Sequence, residues 1–136
     1  MWMEKIEFPF DTELRFSKFV KHKAFPKNDF EKQAILIKLL DDFEDGKKYM
    51  EQEVNEKLKK HFEDYTLLRR ELINFGYMRR NSLTGEYWVV KRILTKEDVM
   101  NNTLLRRHAK PFINIYPSDT QNQQPGKSLY CKISLL

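Results

Sequence analysis

Between residues 11 and 76, apolar positions recur at three- and four-residue intervals in four separate runs, the spacing of amphipathic helices. Asp11 can cap the first, which carries Leu14, Phe16, Phe19 and Val20 and stops at Phe25-Pro26. Asn28, with Glu31 three residues on, has the form of a capping box for the second, where Phe30, Ile35, Leu36, Leu39, Leu40 and Phe43 predict a largely buried helix. Asp41 to Gly46 reads as a turn, with Gly46 the residue best suited to positive φ. Met50, Val54, Leu58 and Phe62 then form one stripe. Asp64 caps a fourth helix with an inward stripe of Tyr65, Leu68, Leu72 and Phe75, and Gly76 is its stop.

Beyond Gly76 the pattern shortens to that of strands. Tyr77–Arg80 and Tyr87–Val90 are rich in aromatic or β-branched residues, and 81–86 joins them as a hairpin loop. Thr95 with Asp98 marks one further helix, running through Val99, Met100, Leu104 and Leu105 to about His108. Residues 1–10 read as a loosely held arm, 117–126 as a polar linker with no apolar face to bury, and 129–136 as apolar enough for a strand. The expected class is α+β, mostly α: a winged helix-turn-helix over 11–94, an added N-terminal helix within it, a C-terminal helix and extension over 95–116, and a flexible tail over 117–136.

Composition narrows the setting. A chain of 136 residues that is 40% hydrophobic suits one core. No apolar run approaches the roughly 20 residues that span a bilayer, and Met1–Lys5 has no basic-then-apolar leader pattern, so neither membrane insertion nor secretion is expected. The single cysteine, Cys131, permits no intrachain disulfide and no thiolate zinc cluster, which fits a reducing, cytoplasmic compartment. The net charge of +5 says little by itself, but its distribution is uneven. Nine acids face four bases from Asp29 to Glu56, and nine bases face four acids from Lys57 to Arg92. That reversal points to a face that meets an anion.

Four segments give the chain a family likeness: Lys21 to Pro26, Tyr49-Met50-Glu51-Gln52-Glu53-Val54-Asn55, Asp64 to Ile73 with its Asp-Tyr-x-x-Leu-Arg-Arg core, and Gly85-Glu86-Tyr87-Trp88. With them, residues from about Leu14 to Trp88 resemble a prokaryotic family named domain of unknown function 2087. Members occur alone or fused to helix-turn-helix domains in proteins described as transcriptional regulators, so the resemblance implies a regulatory setting. Met50 stands where the family usually has Thr, which removes a side-chain cap from the helix that follows.

The candidate chemistry is recognition rather than catalysis. Arg70 on the outer face of the fourth helix suits the two acceptors of guanine in the major groove, Asn74 one turn on suits adenine, and Thr66 precedes both. Arg79 and Arg80, with Lys91 and Arg92, flank the hairpin where phosphates pass, and Lys57, Lys59 and Lys60 can bind backbone across the groove or simply complement the helix dipole. Arg69 lies nearer the inward stripe, which predicts an ion pair with Glu53 or Glu56. Tyr87 and Trp88 are expected in the core. His22, His61 and His108 are scattered, no metal-ligand spacing occurs, the four glycines form no phosphate loop, and the acids of 41–45 lack a calcium-loop pattern, so no enzyme activity, metal or cofactor is expected.

The expected function is a DNA-binding transcriptional regulator, or an accessory DNA-binding module, that uses helix 64–75 and hairpin 77–90 on double-stranded DNA. A homodimer would supply a second half-site, with helices 11–20 and 95–108 as its candidate surfaces. The alternative is a winged-helix protein–protein interaction module without DNA binding, which the outward Leu67 favours; a ligand pocket lined by aromatics is a third reading.

Overall fold

The computed structural model describes residues 4–113. Among them six α-helices and three short strands follow in the order α1 (Thr12–Lys21), α2 (Asp29–Leu39), which runs on into a 3-10 turn at Leu40–Asp42, β1 (Tyr49–Met50), α3 (Glu51–Lys59), α4 (Tyr65–Asn74), β2 (Met78–Asn81), β3 (Glu86–Val89), α5 (Lys96–Met100) and α6 (Thr103–Ala109). The fold is α+β and mostly helical, with one antiparallel sheet in the order β1–β3–β2. No helix among these residues is long and apolar enough to cross a membrane.

Side chains close the helix starts as their types require. Asp11 accepts from the Leu14 amide at 3.1 Å, Asn28 from Phe30 and Glu31 at 2.8 and 3.1 Å, and Asp64 from Leu67 at 3.2 Å. Glu31 does not return the bond expected of a capping box, because its carboxylate pairs with Arg15 of α1. At α3 the Met50 side chain caps nothing, and the Glu53 carboxylate accepts from the Met50 amide at 2.9 Å. Gly76, at φ +83°, ends α4: its amide donates to Ile73 and that of Tyr77 to Leu72, turning the chain straight into β2.

Helix α2 is apolar on most of its circumference because it lies between two cores. Ile35, Leu36 and Leu39 join Val54 and Leu58 of α3, Leu68 and Leu72 of α4, and Tyr77, Met78 and Tyr87 of the hairpin. On its other side Phe30 meets Ile6, Leu94, Val99, Leu105 and Ala109. Gln33 anchors Tyr77 of the first core to α2. It accepts from the Tyr77 hydroxyl at 2.8 Å and donates to the Asp29 carbonyl at 2.9 Å, so both ends of its buried amide have a partner. Burial pushes the Tyr77 phenol far up, keeping the proton that this bond needs.

Three expectations are corrected here. The stretch 4–10 is not a loose arm: the Ile6 amide donates to Leu94 at 2.7 Å, the Lys96 amide to Glu4 at 2.9 Å, and Phe8 and Phe10 pack their rings on Phe30. Residues 95–108 form two helices, because the Asn102 side chain caps a new start by accepting from Leu105 at 3.0 Å. Helices α1, α5 and α6, the candidate dimer surfaces, pack in part on this chain's own cores, with Val99, Leu105 and Ala109 buried and Phe16 and Phe19 turned inward, while Leu14 and Leu104 stay exposed. Tyr87 is in the core, but Trp88 points to the other side of the sheet, half-buried beneath the Lys48 ammonium at 4.2 Å. The linker, the C-terminal strand and Cys131 lie outside the described residues.

Candidate nucleic-acid interface

Helix α4 buries Leu68 and Leu72 and turns Leu67, Arg70 and Asn74 outward, with Thr66 half-buried one turn before Arg70. That division follows from the helical period: positions 66, 70 and 74 share a face opposite the inward stripe. The hairpin stands beside it. Arg80 on β2 is directly across from Tyr87 on β3, and a groove of about 450 Å³ opens between the two elements, lined by Glu51, Arg69, Arg70, Ile73, Asn74, Arg80 and Tyr87. Arg70, Asn74 and Arg80, separate candidates in the sequence, therefore meet at one site.

The floor of this groove is a polar network that links three elements. The Arg69 guanidinium donates to the Asn55 side-chain oxygen and lies 3.7 Å from Glu51, and the Tyr87 hydroxyl donates to Glu51 at 3.0 Å. Burial first, and then the neighbouring Glu51, raise the Tyr87 phenol, so it stays a donor. Arg69 was expected to pair with Glu53 or Glu56. Glu51 and Asn55 take that place because they are one turn apart on the face of α3 that meets α4, whereas Glu53 folds back onto Met50 and Glu56 is exposed. The Tyr49–Asn55 segment held the signal for this network, with Glu51 and Asn55 at i, i+4 facing an arginine, but its partner lies 14 residues or more away.

The cations differ in what they are free to do. Arg70 is exposed and makes no hydrogen bond or ion pair among the described residues. Arg80 has only the Tyr87 ring, 5.8 Å from its guanidinium carbon. Arg79 is exposed too, but it sits opposite Trp88 and so projects from the sheet face away from the groove. Lys59 lies 5.1 Å over the Tyr65 ring and Lys60 caps α3 at the turn into α4, so both border the helix without lining the groove. Lys57 rests over the Phe43 and Tyr49 rings at 5.8 and 5.4 Å.

Lys91 and Arg92 do not join this face. Lys91 pairs with Asp98 at 2.8 Å, and Arg92 donates to Asp45 and to the Leu40 carbonyl, both at 2.8 Å, and to the Phe43 carbonyl. Both brace the segment after the hairpin against the body of the chain.

A family model described as "Uncharacterized protein conserved in bacteria (DUF2087)" matches residues 21–89, half of the chain. The chain belongs to the DUF2087 family. No curated protein and no solved structure matches it. The DUF2087 region runs from the end of α1 through β3, so it contains the whole groove and its polar floor, whereas the core around Phe30 draws Ile6, Leu94, Val99, Leu105 and Ala109 from outside it. The Asp64–Ile73 segment supplies a cap in Asp64, a core residue in Leu68, a strut in Arg69 and an unpaired cation in Arg70.

Proposed function

We propose that this DUF2087 protein is a DNA-binding module of winged-helix type, acting in transcriptional regulation, with α4 entering the major groove and the β2–β3 hairpin lying along the flanking backbone. The order α2, β1, α3, α4, β2, β3 with a β1–β3–β2 sheet supports the winged-helix reading, since that architecture presents its third helix and its hairpin on one side. The observation that carries the functional reading is the pairing pattern at the groove: Arg69 is committed to Asn55 and Glu51, while Arg70 beside it, Asn74 and Arg80 are left facing outward. A helix that presents Arg and Asn one turn apart has the two side chains best matched to guanine and adenine edges. Glu51 is the one acid in the groove lining, and its contacts with Tyr87 and Arg69 offset its charge toward an approaching phosphate.

The test is equilibrium binding to a panel of 30-base-pair duplexes. Arg70→Ala is expected to lose about 1–3 kcal/mol on preferred sequences and little on others, flattening the preference. Lys59→Ala is expected to weaken all duplexes alike. Equal losses from both on every duplex remove the base-reading role of Arg70, and an absence of duplex binding by the wild type at low salt turns the reading toward a protein partner for the exposed Leu67 face.

A further inference from the structure

From Phe16 through Asn28 the chain contains no carboxylate, and Lys18, Lys21, Lys23 and Lys27 are all exposed there. None of the four ammonium groups has an ion pair, hydrogen bond or ring contact among the described residues. Lys18 and Lys21 sit in the last turn of α1, where cations suit the helix dipole, so their positions alone ask for no partner. Lys27 lies beyond α1 and just before the Asn28 cap of α2, where the helix dipole opposes a cation.

Lys23 adds a second observation. It adopts φ +53°, the one non-glycine residue with positive φ among those described. It occupies the left-handed position after α1: its amide donates to Val20 at 3.1 Å and that of Ala24 to Phe19 at 3.0 Å, the bond pair that normally ends a helix on glycine. A side chain there costs conformational energy that glycine would not.

The turn is also placed against the proposed interface. The Phe25 ring meets Phe62 at 5.9 Å and Phe16 meets His61 at 5.3 Å, which sets the α1–α2 turn beside the α3–α4 turn that carries Lys59 and Lys60. Lys32 spans the remaining gap, 5.8 Å from the Phe25 ring and 3.2 Å from Glu71, the α4 residue next to Arg70. We infer that Lys18, Lys21, Lys23 and Lys27 form a second, sequence-independent contact with the DNA backbone, extending the footprint beyond the groove. This rests on the duplex-binding reading of α4 and adds phosphates, not bases, to it.

The experiment compares the salt dependence of duplex binding for the wild type, a Lys18→Gln, Lys21→Gln, Lys23→Gln, Lys27→Gln variant, an Arg70→Ala, Arg80→Ala variant, and Lys23→Gly alone. The quadruple variant is expected to make the slope of log K against log salt shallower by about 3.6, at about 0.9 per phosphate contact, with the ranking of sequences unchanged. Lys23→Gly is expected to make it shallower by about 0.9 while raising the melting temperature by about 2 °C, since it removes the charge and relieves the backbone together. An unchanged slope in both lysine variants, with loss of affinity in the arginine variant, overturns the second contact and leaves the groove reading standing. Loss in the lysine variants alone, with the arginine variant binding as wild type, overturns the groove reading, and the inference that extends it. Wild-type binding to phosphatidylserine vesicles but to no duplex assigns the turn to a lipid surface and overturns both.

Discussion

Around Phe30 several charged side chains are paired within the chain: Arg15 with Glu31, Lys32 with Asp29 and Glu71, Lys91 with Asp98, and Lys96 with Glu4. Along α4 and the hairpin, Arg70, Arg79 and Arg80 face solvent with no carboxylate on them among the described residues. Exposed ion pairs contribute about 0–1 kcal/mol each, so leaving these arginines unpaired sacrifices little stability and preserves a positive field for a partner. The comparison separates residues that hold the chain together from residues that are held out from it. The division falls between neighbours at Arg69, a strut, and Arg70, which is free; Arg79 and Arg80 are both free, and Lys91 and Arg92 are both struts.

The largest effect that tests this division is expected at Phe30, which is fully buried against the rings of Phe8, Phe10 and Phe112. Phe30→Ala should cost about 3–5 kcal/mol in urea unfolding and leave the duplex affinity of the folded protein unchanged. A cost below about 1 kcal/mol would mean that the second core contributes little to stability. Next comes the contrast between Arg92 and Arg79. Arg92→Ala should lose about 1–2 kcal/mol, the worth of its charge-assisted bonds to Asp45 and two carbonyls after allowance for partial exposure, without altering duplex affinity. Arg79→Ala should change stability by no more than about 0.5 kcal/mol and weaken duplex binding.

The smallest effect concerns pH. Burial pushes the Asp98 carboxyl up, but the bonds from Lys91 and from Thr95 outweigh it and hold the group below its ordinary value of 3.8. The folded state therefore binds this proton less tightly than the unfolded chain. Its stabilisation is complete above that ordinary value and is lost as pH falls below it, through the lower folded value. Thermal melts at pH 5 and pH 3 should show a smaller acid-induced drop for Asp98→Asn than for the wild type; an identical drop would remove Asp98 from the acid response.

What the sequence made legible depended on the range of the interaction. The caps at Asp11, Asn28, Asp64 and Thr95, the positive-φ turn at Gly46, the stop at Gly76, and the inward stripes of α2 to α4 are local patterns and are found where their spacing placed them, except that Met50 of the α3 stripe is half-exposed in β1. β1 was invisible because two residues, Tyr49 and Met50, are too few to show alternation, and only their pairing with Glu86 and Tyr87 makes them a strand. The break at Asn102 was masked by Leu104 and Leu105, which continue the apolar spacing of the helix before it. At the candidate interface, Arg70, Asn74 and Arg80 could be picked as outward cations and amide from periodicity. The withdrawal of Lys91 and Arg92 could not, because the partners of Arg92 lie 47 to 52 residues away and charge alone does not reveal them.

The central claim, that α4 and the hairpin form a DNA-binding face, is tested most directly by following the backbone amide resonances of the labelled protein as a 30-base-pair duplex is added. Shifts are expected to concentrate at Thr66, Arg70 and Asn74, at Arg79 and Arg80, and at Lys59 and Lys60, while amides around Phe30, Val99 and Leu105 stay still. Shifts confined to α5, α6 and residues 4–10, or none at low salt and saturating duplex, would contradict it.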